Sequence, residues 1–243
     1  TRVLAQAMIE FSRRVTCAQA TRDAAQEGST EQHRAAHACV LWAQMGAVCT
    51  AAHYRGQRGQ SMAEIRARSV ACWTGADGSR IYFLNALLTK TRRTGRKSTL
   101  VMPNRRSIEA HICPVAWYDR YCAALKSFGV YDKFTHGSFF FCKVWTDSTG
   151  GTAQRRVDPL SQGVVQTWST RLRQLCSNAD TGTQTIGMSG LRGGGAVAGV
   201  LTNGRQVADV MQSAEWSSLS TFRLYTQFHT VFAGAAAGSS EVA

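Results

Sequence analysis

The sequence lacks any apolar run approaching the roughly 20 residues that cross a bilayer, and its opening does not read as a signal peptide. No membrane partner is expected, and the chain is placed inside the cell, in a prokaryotic cytoplasm or a eukaryotic nucleus. Acidic residues are also scarce. Fifteen Asp and Glu face 28 Lys and Arg, a surplus of +13 in 243 residues, which favours a polyanionic partner over a small neutral substrate. The eight cysteines (Cys17, Cys39, Cys49, Cys72, Cys113, Cys122, Cys142 and Cys176) include no Cys-x-x-Cys pair. That scatter argues against a secreted disulfide framework and for thiols in a reducing compartment. His33 and His37 stand one helical turn apart, but Arg34 occupies the place where a zinc protease motif needs its Glu. The run Gly193-Gly194-Gly195 is followed by no Gly-Lys-Ser/Thr, so a nucleotide-phosphate loop is disfavoured.

What is present suffices for a core: 44% of the residues are apolar, enough for one large domain or a principal domain with part of a neighbour. The first residue is Thr1, and the chain is expected to be a segment of something longer. Apolar spacing predicts helices over Val3–Val15 and Glu31–His53, separated by a polar stretch Thr21–Thr30 in which Ser29 or Thr30 is available as an N-cap. Residues 1–24 are read as a linker or the end of a preceding domain, 25–232 as the main domain, and 233–243 as a loose tail. After the Gly56–Gly59 turn a short helix is expected over Met62–Ser69. A small antiparallel sheet follows, with Ile81–Leu84 and Leu100–Met102 as strands and Gly75–Gly78 as a turn. A second turn carries Lys90, Arg92, Arg93, Arg96 and Lys97, which fit either a solvated hairpin or a phosphate contact. Pro114 opens a helix through Phe128, and Ser138–Trp145 is extended. Further helices are expected from Pro159 to about Cys176, over Met188–Leu201, over Gln206–Gln212 and over Ser220–Phe228. The fold class is α+β, mainly α, with helices around one small sheet.

Between Ser189 and Tyr225 the order is Ser189-Gly190-Leu191-Arg192, then Trp216-Ser217-Ser218, then Ser220-Thr221-Phe222-Arg223-Leu224-Tyr225, with nine residues from Trp216 to Tyr225. This resembles the catalytic domain of the tyrosine recombinase (phage integrase) family, whose pattern is His-x-Leu-Arg, a His or Trp, and a Tyr nine residues on. Ser61 through Glu64, followed by Lys90, is similar to the family's first box and the hairpin after it. The resemblance runs over roughly residues 25 to 230 and is weakest between about 104 and 185. It implies DNA cutting and rejoining, as in site-specific recombination or the integration of a mobile element, through a covalent 3′-phosphotyrosine. Tyr225 would be the nucleophile, Arg192 a phosphate clamp, Lys90 the general acid, and Trp216 the residue packed on the scissile phosphate. Double-stranded DNA is the implied partner, with self-association on it as a dimer or tetramer, and no metal or other cofactor is required.

The chemistry accounts for these residue types. A phenol has an unperturbed pKa of about 10 and must be aimed and activated. Charge gathering on the phosphoryl oxygens is met by guanidinium groups, and the leaving 5′ oxygen needs a proton. Each residue also has a structural alternative: Tyr225 with Phe222 and Phe228 on one helical face could be core, Trp216 packing, and Arg192 a cap. The sequence departs from the family in two places, because Ser61 stands where a first Arg is expected and Ser189 where His or Lys is usual. Arg58, three positions before Ser61, is the candidate substitute, and Arg55 with Arg58 and the basic turn is expected on a DNA-facing surface. Two alternatives to strand exchange stay open: a degenerate recombinase-derived protein that binds DNA without cutting it and, more remotely, an enzyme resembling type IB topoisomerases.

Overall fold

In a computed structural model the described residues are 2–84, 103–105, 110–127, 139–145, 154–159, 167–168, 170–171, 174, 188–202, 204–214 and 216–224. Among them the chain is mainly helical, with small antiparallel sheets, so the α+β, mainly α class holds. Helix α1 (Arg2–Ala24) buries Leu4, Ala7, Met8 and Phe11 along one stripe at the i, i+3, i+4, i+7 spacing. It extends nine residues beyond the apolar pattern that predicted it, through polar turns that the pattern cannot register. Those four residues share one core with Val40, Trp117 and Leu191. The segment read as a linker or the end of another domain therefore packs into the main body.

Helix α2 (Thr30–Arg55) is the axis of the structure. Ser29 caps its start, its hydroxyl accepting from the Gln32 amide at 3.1 Å, and Gly56 ends it at φ 63° with its N–H turned back to the carbonyls of Ala52 and His53. A left-handed φ of this size suits glycine, which has no Cβ to clash. From Ala43 to His53 every residue is buried, because α1, α4 (Pro114–Ser127) and α5 (Met188–Val197) all pack against it. A helix apolar on all sides must be enclosed or lie in lipid. Contrary to the sequence expectation, α2 is long and apolar enough to cross a membrane, with a mean hydropathy of 1.3 over 18 residues, yet 72% of that window is covered by the protein itself.

Helix α4 meets α2 at Gly46, where an added Cβ would lie 2.1 Å from Trp117 Cε3. The indole is fully buried and donates to the His111 carbonyl at 2.7 Å. Nearby, Tyr121 donates to the Phe140 carbonyl at 2.9 Å and accepts from Gln44 Nε2 at 3.0 Å, so the polar groups in this part of the core pair with one another, as burial demands. A short helix α3 (Gly59–Ala63) and a 3-10 turn (Ala67–Ser69) replace the single helix expected over Met62–Ser69. Between them the Phe140 amide reaches the Ile65 carbonyl at 2.7 Å and Arg66 lies over the Phe139 ring. That pairing draws residues 65 and 66 out of the helix.

Strands β1 (Val70–Thr74), β2 (Arg80–Leu84) and β3 (Pro103–Arg105) form an antiparallel sheet in that order, with Cys72 opposite Tyr82 and Tyr82 opposite Asn104. Alternation along β2 buries Tyr82 and Leu84, and Tyr82 stacks on Tyr118 of α4 at 4.5 Å. Strands β4 (Cys142–Trp145) and β5 (Gln154–Pro159) make a second pair with a register shift between Cys142 and Val144. The predicted strand Leu100–Met102 and the basic turn lie outside the described residues, as do parts of the helix expected after Pro159, where 167–168, 170–171 and 174 are helical.

Gly46→Ala should destabilise the fold by about 1 to 3 kcal/mol or more, since the methyl has to displace a fully packed indole. Urea denaturation measures this, and an unchanged midpoint would contradict the α2–α4 crossing.

Candidate functional site

The C-terminal end of α2, the glycine-rich helix α5 and the segment from Ala214 to Trp216 meet at one place. The cause lies in side chains that are missing. At Gly195 a Cβ would sit 1.7 Å from the His53 carbonyl oxygen, and at Gly56 one would sit 2.7 Å from the Ala214 Cβ. Helix α5 can therefore lie directly on the backbone of α2, and Ala214 on the turn that ends α2. Gln57 locks the second contact by donating to the Ser213 carbonyl at 3.0 Å.

Arg192, in α5, is held by this junction. It is 3% exposed, donates from Nη2 to the Ala214 carbonyl at 2.8 Å and lies 4.5 Å over the Trp216 ring, a cation–π geometry. Trp216 is buried in turn. Its amide donates to the Met211 carbonyl at 2.9 Å after helix α6 (Val207–Ser213), and its ring meets Phe222 edge-on at 5.4 Å. Ser218 then caps a helical turn over 219–224, with the Thr221 amide pointing at its hydroxyl at 3.4 Å. Helix α5 continues through a π-helical turn (Ala198–Thr202) before Gly204, at φ 61°, turns the chain toward α6.

No protein-family model and no curated protein sequence matches the chain.

Of the residues singled out in the sequence, the structure joins Arg192 and Trp216, and it sets Arg58 in the exposed turn one residue after Gln57. Ser61 is buried in α3, Glu64 is half-buried just after it, and Ser189 stands in the first turn of α5. Arg55 departs from the expectation of a DNA-facing cation. It is buried, and its guanidinium donates to the Leu84 carbonyl at the end of β2, tying the sheet to α2. The expected open basic face is thus reduced among the described residues, since Arg55 and Arg192 both point inward and Arg58 faces solvent. Tyr225, Lys90, Arg92, Arg93, Arg96 and Lys97 lie outside the described residues.

Sequence reading passed over His53 and Gln57. The signal for His53 was present: a titratable residue one turn before the glycine that ends the helix. Its ring is buried, and burial holds its pKa down at about 4. The sign of the resulting pH dependence is fixed. The unfolded chain takes up the proton near 6.5 and the folded chain near 4, so the stabilisation is complete above the unfolded value and is lost as pH falls between the two. Fully protonating the buried ring costs the fold about 3 kcal/mol, and none of that cost is felt at neutral pH. His53→Gln should flatten the fall in stability between about pH 6.5 and 4, measured by urea denaturation at several pH values. An unchanged slope would show that the imidazole is not buried in its neutral form.

Proposed function

We propose that the chain is the catalytic domain of a DNA strand-exchange protein similar to the tyrosine recombinases, acting through Tyr225. One observation carries the reading. Arg192 and Trp216 belong to separate boxes of the sequence pattern, 24 residues apart, and they lie against each other at 4.5 Å. A guanidinium stacked on an indole has its plane fixed, which is what bidentate recognition of a phosphate requires. The segment that carries Trp216 also leads through the helical turn 219–224 to Tyr225, so nine residues run from the indole that packs on Arg192 to the nucleophile.

In this reading Tyr225 gives up its phenol proton to solvent and attacks the scissile phosphorus, and the bond to the 5′ oxygen breaks, leaving a 3′-phosphotyrosine and a free 5′ hydroxyl. Lys90 supplies the proton that the 5′ oxygen takes up. Arg192, with Arg58 in the place that Ser61 leaves, balances charge on the phosphoryl oxygens. Attack by a 5′ hydroxyl on the phosphotyrosine reverses the step and restores the phenol. The surplus of +13 supports duplex DNA as the partner.

A second reading, binding without cleavage, draws on the inward orientation of Arg192 and on Ser61. With Arg192 at 3% exposure, a phosphate reaches it after the Ala214–Trp216 segment moves aside. A protein that kept the fold and lost the first arginine would hold DNA and leave it uncut.

A pool of nicked suicide duplexes of randomised sequence separates the two. Strand exchange predicts a covalent protein–DNA adduct that disappears in Tyr225→Phe; binding without an adduct favours the second reading. Either way, affinity for duplex DNA should fall by about a thousandfold or more between roughly 50 and 200 mM salt. Salt-insensitive binding would remove DNA from the account.

A further inference from the structure

We infer that Arg14 and Arg171, gathered on the indole of Trp42, form a second contact for the phosphate backbone of duplex DNA, apart from the Arg192 site. The inference rests on duplex DNA as the partner and holds whether or not a strand is cut. Trp42 is a half-buried residue of α2, and Phe11 of α1 packs against it at 5.5 Å between ring centroids. Arg14 of α1 lies 4.6 Å from the centroid of the same indole and Arg171 lies 5.7 Å from it, both within cation–π range. Arg171 is held there by Trp168, one helical turn earlier, which is buried in the core.

The pair is short of negative charge. Glu10 accepts from Nε and Nη2 of Arg13 and from Nε of Arg14, so one carboxylate is divided between two guanidinium groups. Among the described residues no carboxylate pairs with Arg171. Like charges gathered on one ring repel each other, and a phosphate supplies the charge that Glu10 does not. A guanidinium seated on an aromatic ring keeps its in-plane N–H groups for a phosphate oxygen. The place of the cluster fits the same partner. Trp42 stands 11 residues before His53 in α2, which is about 20° around the helix and roughly 16 Å along it. The His53 ring faces α5, with Cε1 3.8 Å from where a Cβ of Gly194 would be. The Trp42 cluster and α5 are therefore on one side of α2, at a separation that a single turn of duplex, about 34 Å, spans.

The test is the salt dependence of affinity for a random-sequence duplex, which counts phosphate contacts. Arg14→Met and Arg171→Met each leave an unbranched apolar chain over Trp42 and remove the charge, so packing on the indole is kept. Each should lower the slope of log affinity against log salt by about one unit, and the double variant by about two. Arg22→Met removes an equal charge farther along α1, from an arginine that Asp23 already pairs at 2.6 Å, and should keep the parent slope. A parent slope in either variant at Trp42 overturns the inference and leaves the Arg192 reading standing. So does a loss in Arg22→Met as large as theirs, because overall charge would then account for the effect. A parent protein whose affinity does not depend on salt removes duplex DNA itself, and the inference with it.

Discussion

The contact on which the candidate site depends is the crossing of α5 over the C-terminal end of α2, where Gly195 rests on the backbone of His53. Any side chain at position 195 would collide with a carbonyl oxygen at 1.7 Å, so the two helices approach this closely because that position carries none. The crossing puts Arg192 within reach of the Ala214 carbonyl and the Trp216 ring. Gly56 repeats the device one turn away, letting Ala214 settle on the end of α2. A buried guanidinium is costly unless it is hydrogen-bonded and packed. Here the carbonyl and the indole do both, and the backbone geometry that allows it comes from two glycines.

Much of the architecture was legible because the signals were local. Ser29 and Gly56 bracket α2 as cap and stop, Pro114 opens α4, and Gly204 separates α5 from α6, each for a steric or hydrogen-bonding reason visible in a few residues. The length of α1 was not legible, since its last turns are polar and lie beyond the apolar stripe. Nor was the break between α3 and the 3-10 turn, which depends on a bond from Phe140 to Ile65 across a long stretch of chain. The apolar length of α2 was missed because polar residues interrupt it, so no continuous apolar run marks a window that is apolar on average.

The site was legible in part. Order and spacing pointed to Arg192 and Trp216, and the fold joins them. Sequence could not show that Arg192 would turn inward or that Arg55 would serve the sheet through Leu84, because a cation's direction is set by the carbonyls around it. His53 escaped notice because nothing in the motif calls for it; its importance comes from the glycine that happens to cross it. What remains on the solvent side is Arg58, in a turn anchored by Gln57 to Ser213. Arg192 is thus buried and clamped, while Arg58 is exposed beside Gln57, whose side chain reaches the Ser213 carbonyl.

The central claim is that the junction of α2, α5 and the Trp216 segment is where a DNA phosphate is held. A crystal structure of the protein on a nicked duplex tests it most directly. The account predicts the phosphate at the nick between Arg192, Trp216 and Tyr225, with Arg58 on its open side. DNA lying against another face, with Arg192 still turned onto the Ala214 carbonyl, would contradict it.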